Sequence, residues 1–194
     1  MKIALFAAVP DEVGILCDCV NFTGIGRENA TQSMLSFMDE HREEDFTVLN
    51  IGSVGAYDIM PGTLLSIQEI RSAGSKFNAD KMTPCTFGLS AESALQKATL
   101  YSSDSFVSPA VYTGEYLESL RHTVDCFDME SSALFSIAAH YGKKYVSYKV
   151  VSDNLDVTLE VWKERVNRLS ALLVSHLQSV FSELEKKEAI SFLR

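Results

Sequence analysis

The chain is poor in cysteine, proline and tryptophan. Its 194 residues include four cysteines, four prolines and a single tryptophan. Cys17 and Cys19 are too close for the C-x-x-C spacing of redox and zinc sites, and the four histidines show no ligand spacing. We therefore expect reduced, buried thiols, no metal and no organic cofactor.

Long apolar runs and an excess of positive charge are also missing. No run approaches the ~18 apolar residues of a membrane span, and residues 3–9 are short for a signal-peptide core before Pro10 ends them. The 17 Lys and Arg residues stand against 26 Asp and Glu, a net charge of −9. This balance disfavours nucleic acid and anionic membranes as partners. The sequence predicts a cytoplasmic protein that binds a small neutral or cationic molecule.

The composition that remains, 46% hydrophobic and 22% charged, is that of a soluble globular protein. Apolar runs predict strands, and apolar residues at helical spacing predict helices between them. We expect strands at residues 3–9, 46–51, 64–70, 123–127 and 145–151, and helices at 11–19, 27–41, 90–97, 116–121, 130–141 and from about 157 onward. Residues 71–84 are predicted to be a surface loop and 100–106 a turn. The alternation predicts one α/β domain over residues 1–194, a three-layer αβα sandwich.

Three acidic residues stand at element ends in this pattern. Glu12 follows the first strand, Glu130 begins a helix, and Asp153 follows the next strand. Such ends converge in α/β proteins, so the three carboxylates could share a pocket suited to cleaving a glycosidic bond. Each also has a structural alternative: Glu12 and Glu130 as first-turn acids that favour the helix dipole, and Asp153 as the cap of the helix near residue 157.

Six segments, taken in order, resemble the nucleoside phosphorylase and nucleosidase superfamily. They are MKIALFAAVPDEV, TGIGRENA, NIGSVGAYD, SSDSFV, DMESSAL and VVSD. The match is closest to the branch of 5′-methylthioadenosine/S-adenosylhomocysteine nucleosidases and futalosine hydrolases. The resemblance implies a nucleoside phosphorylase/hydrolase-like sandwich around a central mixed β-sheet, an N-glycosyl hydrolase activity and a homodimer.

The resemblance also implies site residues and their roles. Glu12 would activate water with the help of Ser53, and a protonated Asp153 would donate to N7 of the purine. An ionised Glu130 would accept the ribose hydroxyls. The remaining contacts are implied as Met129 on the ribose face, Phe106 stacked on the base, the Val107 backbone at the base edge, and Ser152 beside Asp153.

The chain departs from the family pattern at some positions. Lys149 stands where the family strand usually carries Arg, so we expect it to position Glu130 and water less rigidly. Asn50 stands where related phosphorylases carry a phosphate-binding Arg, and Asp11 and Glu12 replace their phosphate contacts. Hydrolysis is therefore predicted over phosphorolysis.

The substrate class implied is a 5′-modified purine nucleoside. We favour a futalosine or aminodeoxyfutalosine hydrolase of menaquinone biosynthesis. A methylthioadenosine/S-adenosylhomocysteine nucleosidase and a noncatalytic nucleoside-binding protein are the alternatives. Asn154 could read either hypoxanthine or adenine, because its amide both donates and accepts.

Overall fold

The computed structural model describes residues 1–72, 82–108 and 110–194. Most of the predicted surface loop at 71–84 therefore lies outside the described residues. The strands are β1 (Lys2–Ala7), β2 (Val20–Phe22), β3 (Thr47–Ala56), β4 (Leu64–Ser72), β5 (Gln96–Ser102), β6 (Cys126–Asp128), β7 (Lys144–Asp153) and β8 (Ser191–Phe192). The α-helices are α1 (Arg27–His41), α2 (Gly114–Arg121), α3 (Ser131–His140) and α4 (Leu159–Lys187).

The strands form one mixed sheet around β3. β1 and β7 both pair with β3 in parallel, and β2 and β8 pair with β1. β3 also pairs with β6, and the path β3–β6–β5–β4–β7 returns to β3, so five strands close into a ring. The predicted mixed sheet is confirmed.

Helices cover both faces of the sheet. Successive side chains of β1 point to opposite faces and pack against different helices. Ala4 and Phe6 pack in the apolar cluster that holds Met34 and Met38 of α1. Ile3 and Leu5 pack on the opposite side in the cluster that holds Leu173, Leu177 and Val180 of α4. The three-layer αβα arrangement is therefore confirmed.

Three local predictions differ from the structure. Residues 11–19 are helical, but as two 3-10 helices, Pro10–Glu12 and Gly14–Cys19, which meet at Val13 before Gly14 with its φ of +49°. The helix predicted at 90–97 is a 3-10 helix that ends at Ala94, and β5 begins at Gln96 and runs into the segment 100–106, where a turn was predicted. This strand is specified by parallel pairing with β4 and β6, partners that are distant in sequence.

The cysteines are all free, as predicted, but only Cys126 is buried. Cys85 is exposed, and Cys17 and Cys19 are half-buried, so the expectation of buried thiols was wrong for these three. They lie in short or irregular segments, where packing depends on tertiary contacts. Within the described part of the chain, no helix has the length and apolar character to cross a membrane.

Candidate active site

A cleft opens where β1, β3 and β7 end. These three strands are parallel, so their carboxyl ends meet at one edge of the sheet. The cleft encloses about 560 Å³, including its open mouth. Its acidic lining residues are Glu12, Asp128, Glu130 and Asp153. The three carboxylates singled out from the sequence therefore share one cleft.

One side of the cleft, here called the Glu12 wall, consists of Ala8, Glu12, Ser53 and Trp162. Oε1 of Glu12 accepts hydrogen bonds from the backbone N–H and the hydroxyl of Ser53, both at 2.8 Å. Oε2 accepts from the Ala8 N–H at 3.1 Å. Trp162 Nε1 donates to Ser53 Oγ at 3.1 Å, which orients that hydroxyl. Glu12 is 5% exposed and is held by neutral donors from β3 and from the residue after β1, while Trp162 of α4 acts on it only through Ser53.

Glycine at position 52 leaves room for this carboxylate. Gly52 has a φ of +152°, and a Cβ built there would lie 3.0 Å from Glu12 Oε1 and 3.1 Å from Oε2. A side chain would therefore push against the oxygens that Ser53 and Ala8 hold. Gly52, which leaves space for the carboxylate, and Ser53, which donates to it, are thus both part of the site.

The opposite side, here called the Glu130 wall, consists of Gly26, Asp128, Met129 and Glu130, with Lys149 behind it. Glu130 is the N-cap residue of α3, but its carboxylate does not cap that helix. Oε1 accepts from the Gly26 N–H at 2.6 Å, and Oε2 accepts from the Met129 N–H at 3.3 Å. The alternative that Glu130 is an acid in the first turn of α3 is therefore wrong, because its carboxylate binds the backbone N–H of Gly26 at the start of α1.

Burial raises the pKa of Glu130 to about 8, and the negative charge of Asp128 adds to the effect. At neutral pH this shift favours the protonated form of Glu130. The sequence predicted an ionised Glu130. It did not reveal that Asp128, two residues earlier, would be buried beside it.

Lys149 forms its ion pair with Asp128. Its Nζ lies 3.0 Å from Asp128 Oδ2 and 3.4 Å from Asn50 Oδ1, and Lys149 is 2% exposed. Burial is the largest single effect and lowers the pKa of Lys149, but the negative charge of Asp128 together with smaller contributions from nearby acidic groups outweighs it and raises that pKa. Lys149 is not among the residues that line the cleft. The charge of Lys149 lowers the pKa of Glu130 from behind the wall, which partly offsets the effects of burial and Asp128.

Asn50 belongs to the same buried network. Its amide nitrogen donates to Ser131 Oγ at 2.9 Å and to the Tyr145 hydroxyl at 2.7 Å. Asp128 also accepts from Ser102 Oγ at 2.8 Å and from the Ser131 hydroxyl. The two bonds to Ser131 and Tyr145 use both N–H groups of the Asn50 amide.

Asp153 lies at the end of β7, between the two walls. It is 1% exposed; its Oδ2 accepts from Ser152 Oγ at 2.7 Å and its Oδ1 from the Leu155 N–H at 2.8 Å. Burial raises the pKa of Asp153 against the effect of these two bonds. The capping alternative is wrong, because α4 begins at Leu159 with Thr158 as its N-cap.

Some of the residues predicted to contact the base and the ribose line the cleft, and others do not. Phe106, Val107 and Met129 line the cleft together with Ser53. Ser152 is fully buried and donates to Asp153 and to the Val54 carbonyl, so it is not part of the lining. Asn154 uses its amide on the carbonyls of Ala56 and Ile59, so its predicted role in reading the base was wrong.

Sequence reasoning missed Trp162 and Asp128. Trp162 was assigned only to the apolar stripe of the C-terminal helix, although a lone tryptophan with a ring N–H in that stripe was a usable signal. Asp128 stood inside the quoted DMESSAL segment without a role. Across the residues that the structure describes, no group of three or more His, Cys, Asp or Glu side chains could hold a metal ion.

Solved structures share this fold at low sequence identity. 5′-Methylthioadenosine/S-adenosylhomocysteine nucleosidase from Helicobacter pylori, bound to butyl-thio-DADMe-Immucillin-A, superposes with a TM-score of 0.79 at 17% identity, covering 94% of this chain and 98% of that one. Futalosine hydrolase from Helicobacter pylori strain 26695 gives 0.79 at 15% identity with the same coverage. The nucleosidase from Colwellia psychrerythraea 34H, in complex with adenine, gives 0.76 at 16%, covering 92% and 95%.

Sequence comparison identifies the family. No curated protein gave a significant match to the chain. The family model described as the phosphorylase superfamily matches residues 19–182, which is most of the chain. The superfamily predicted from the six segments is confirmed, and the chain belongs to the phosphorylase superfamily.

Proposed function

We propose that the protein hydrolyses the N-glycosidic bond of a 5′-modified purine nucleoside. The observation that carries the proposal is the convergence of Glu12, Glu130 and Asp153 on one cleft beside Phe106. Such a bond breaks with positive charge on the sugar and negative charge on the base. Glu12 can accept a proton from water, Glu130 can bind the sugar, and Asp153 can donate a proton to the base. Structures with this fold bind adenine and a nucleoside analogue.

The Glu12 wall supports hydrolysis over phosphorolysis. Phosphate binding needs cations and free backbone N–H groups. Here the N–H groups of Ala8 and Ser53 already donate to the Glu12 carboxylate. The carboxylate would repel phosphate, but it can accept a proton from water.

In the proposed reaction, water attacks C1′ of the ribose while the bond from C1′ to N9 breaks. The proton lost by water goes to Glu12, held by Ser53. The electron pair of the broken bond goes to the purine, and Asp153 gives its proton to N7, so the base leaves neutral. The raised pKa of Asp153 supports this role because burial favours its protonated form. Both carboxyl groups then exchange protons with solvent.

Glu130 faces the ribose in this scheme. The ribose hydroxyls donate to the ionised carboxylate, so nucleoside binding would favour loss of the Glu130 proton to solvent before the bond breaks. Positive charge that develops on the sugar would then make its contact with this carboxylate stronger in the transition state than in the bound ground state, which is the requirement for catalysis. Phe106 would stack on the base, and Val107 and Met129 would complete the pocket.

We favour futalosine or aminodeoxyfutalosine as the substrate, which would place the enzyme in menaquinone biosynthesis. The fold match to a futalosine hydrolase supports this choice as much as the matches to the nucleosidases support theirs. Methylthioadenosine is the second candidate, because Leu159 and Trp162 in the first turn of α4, together with Ile25, give the cleft an apolar lining. Such a lining suits a methylthio group.

Release of free base tests the proposal. The protein is incubated separately with futalosine, aminodeoxyfutalosine, methylthioadenosine and S-adenosylhomocysteine, without phosphate, and the products are separated by chromatography. Preferential release from the futalosines supports the favoured substrate, and preference for the thio-nucleosides supports the second. Tight nucleoside binding with no base released would make the protein a noncatalytic binder. Release only after phosphate is added would make it a phosphorylase.

A further inference from the structure

Arg27 joins the first turn of α1 to residues 102–107, here called the Phe106 segment. Its Nη2 donates to the Ser102 carbonyl at 3.0 Å, and its Nη1 pairs with Asp104 Oδ1 at 3.1 Å. Neither Arg27 nor Asp104 lines the cleft. Arg27 therefore contacts the Phe106 segment from behind, two residues before the aromatic ring.

The same turn also holds the ribose carboxylate. Gly26, the N-cap residue of α1, donates its N–H to Glu130 Oε1 at 2.6 Å. Arg27 is the next residue. One short turn thus contacts both Glu130 and the Phe106 segment, the two parts of the cleft proposed to bind the ribose and the base.

The opposite side of the Phe106 segment is fixed by backbone and hydroxyl contacts. The Ser103 N–H donates to the Asp128 carbonyl at 2.8 Å, and the Ser103 hydroxyl donates to the Ser105 carbonyl at 2.7 Å. The first bond attaches the segment to β6, and the second lies within it. The salt bridge from Asp104 to Arg27 attaches the segment to α1.

The position of Arg27 is locally unfavourable. A cation in the first turn of a helix opposes the helix dipole. Its Nε is also buried without a hydrogen-bond partner among the described residues, which costs further free energy. A residue that destabilises its own helix in this way is expected to have a favourable interaction or a function elsewhere. The contacts to Ser102 and Asp104 supply the compensating interaction.

We propose that Arg27 is a positioning residue, which holds the Phe106 segment against the Gly26–Glu130 turn so that base and ribose are bound at a set separation. This inference rests on the proposed function. It assigns to Arg27 no contact with the substrate. Its loss should therefore weaken binding more than it slows the chemical step.

The test replaces Arg27 by methionine, which keeps the length of the side chain and removes its donors. For the nucleoside that the wild type cleaves, we expect KM to rise about 10-fold while kcat changes less than about 3-fold, the signature of lost ground-state binding. The Kd of free adenine or hypoxanthine should rise in parallel. It can be followed by the fluorescence of Trp162, the single tryptophan, which lines the cleft.

Asp104→Asn should show a smaller rise in KM, because the bond from Arg27 to Ser102 remains. In the Arg27→Met background it should add nothing further, since the shared contact is already lost. Arg42→Met is the matched control, because Arg42 makes an exposed pair with Glu43 away from the cleft. If Arg27→Met unfolds, Arg27→Lys and Asp104→Asn supply the same comparison.

Unchanged KM and Kd in Arg27→Met and Asp104→Asn would overturn the inference while leaving the hydrolase proposal intact. A drop in kcat alone would overturn it as well. If the wild type binds the base but releases none from any nucleoside, the proposed function fails and the Kd comparison still decides the role of Arg27. If the wild type binds no purine base, both proposals fall.

Discussion

The two walls of the cleft hold the same type of side chain in opposite ways. In the Glu12 wall, neutral donors surround the carboxylate: two N–H groups and a hydroxyl, the latter held by Trp162. In the Glu130 wall, the carboxylate lies near a second one, Asp128, whose charge is opposed by the buried Lys149. The first wall depends on hydrogen-bond geometry, and the second on a balance of charges.

This difference supports the separate roles proposed for the two glutamates. A carboxylate fixed by three donors has a defined position for its proton-accepting oxygens, as a general base requires. A carboxyl group with a pKa raised to about 8 can be protonated in the free protein and ionised once the ribose hydroxyls donate to it. In the proposed mechanism, environment rather than residue type thus decides what each side chain does.

Removing the proton acceptor of the Glu12 wall should have the largest effect. In Glu12→Gln the amide cannot take a proton from water, so we expect kcat to fall by about 10³-fold. Binding of free base, followed by Trp162 fluorescence, should change little. Asp11→Asn, a neighbouring exposed carboxylate, is the control. A kcat near that of the wild type would remove Glu12 from the mechanism.

Removing the buried cation of the Glu130 wall should mainly lower stability. Lys149→Met leaves Asp128 buried without its partner, at a cost of about 3–5 kcal/mol in the free energy of unfolding. Urea denaturation measures this. Lys144→Met, at the exposed start of the same strand, should cost much less.

The double variant Lys149→Met with Asp128→Asn gives a further check. It should recover part of the lost stability, because no uncompensated charge remains. Equal stability of Lys149→Met and Lys144→Met would show that the pair does not balance this wall.

Crowding the Glu12 wall should have an intermediate effect on rate. A methyl group from Gly52→Ala would contact both Glu12 oxygens, and displacement of a catalytic group by about 1 Å can cost ~10²-fold in rate. We therefore expect a fall in kcat of about 10- to 100-fold. Gly114→Ala is the control, since a Cβ there meets nothing within 4 Å. Full activity in Gly52→Ala would show that the Glu12 geometry tolerates movement.

The last expected effect is a pH dependence of stability from the Glu130 wall. The folded pKa of Glu130 is about 8 against an ordinary 4.5, so between these values the folded state binds more protons than the unfolded state. The free energy of unfolding should therefore fall as pH rises from about 5 to 8. In Glu130→Gln this decline should be weaker, while other titrating groups contribute equally to both proteins. Parallel pH profiles of the two proteins would contradict the raised pKa.

Much of the fold followed from patterns that act locally. The apolar runs of β1, β3 and β7 and the stripe of α4 were recognisable, since period and burial go together. β5 and the 3-10 helices were not, because pairing with distant strands and a positive φ at Gly14 decided them. The superfamily was recognised from six short segments, and the family match confirms it.

The residue types of the candidate site were likewise visible in the sequence, whereas their partners were not. By itself, the sequence determined that Glu12, Glu130 and Asp153 would follow elements of an α/β fold, because side-chain period and element order are local properties. Only the tertiary structure decided that Ser53 would hold Glu12, that Lys149 would pair with Asp128, and that Gly26 would bind Glu130. Those contacts join residues 41, 21 and 104 positions apart. Hydrogen bonds and charge effects depend on distance in space, which the order of residues alone does not specify.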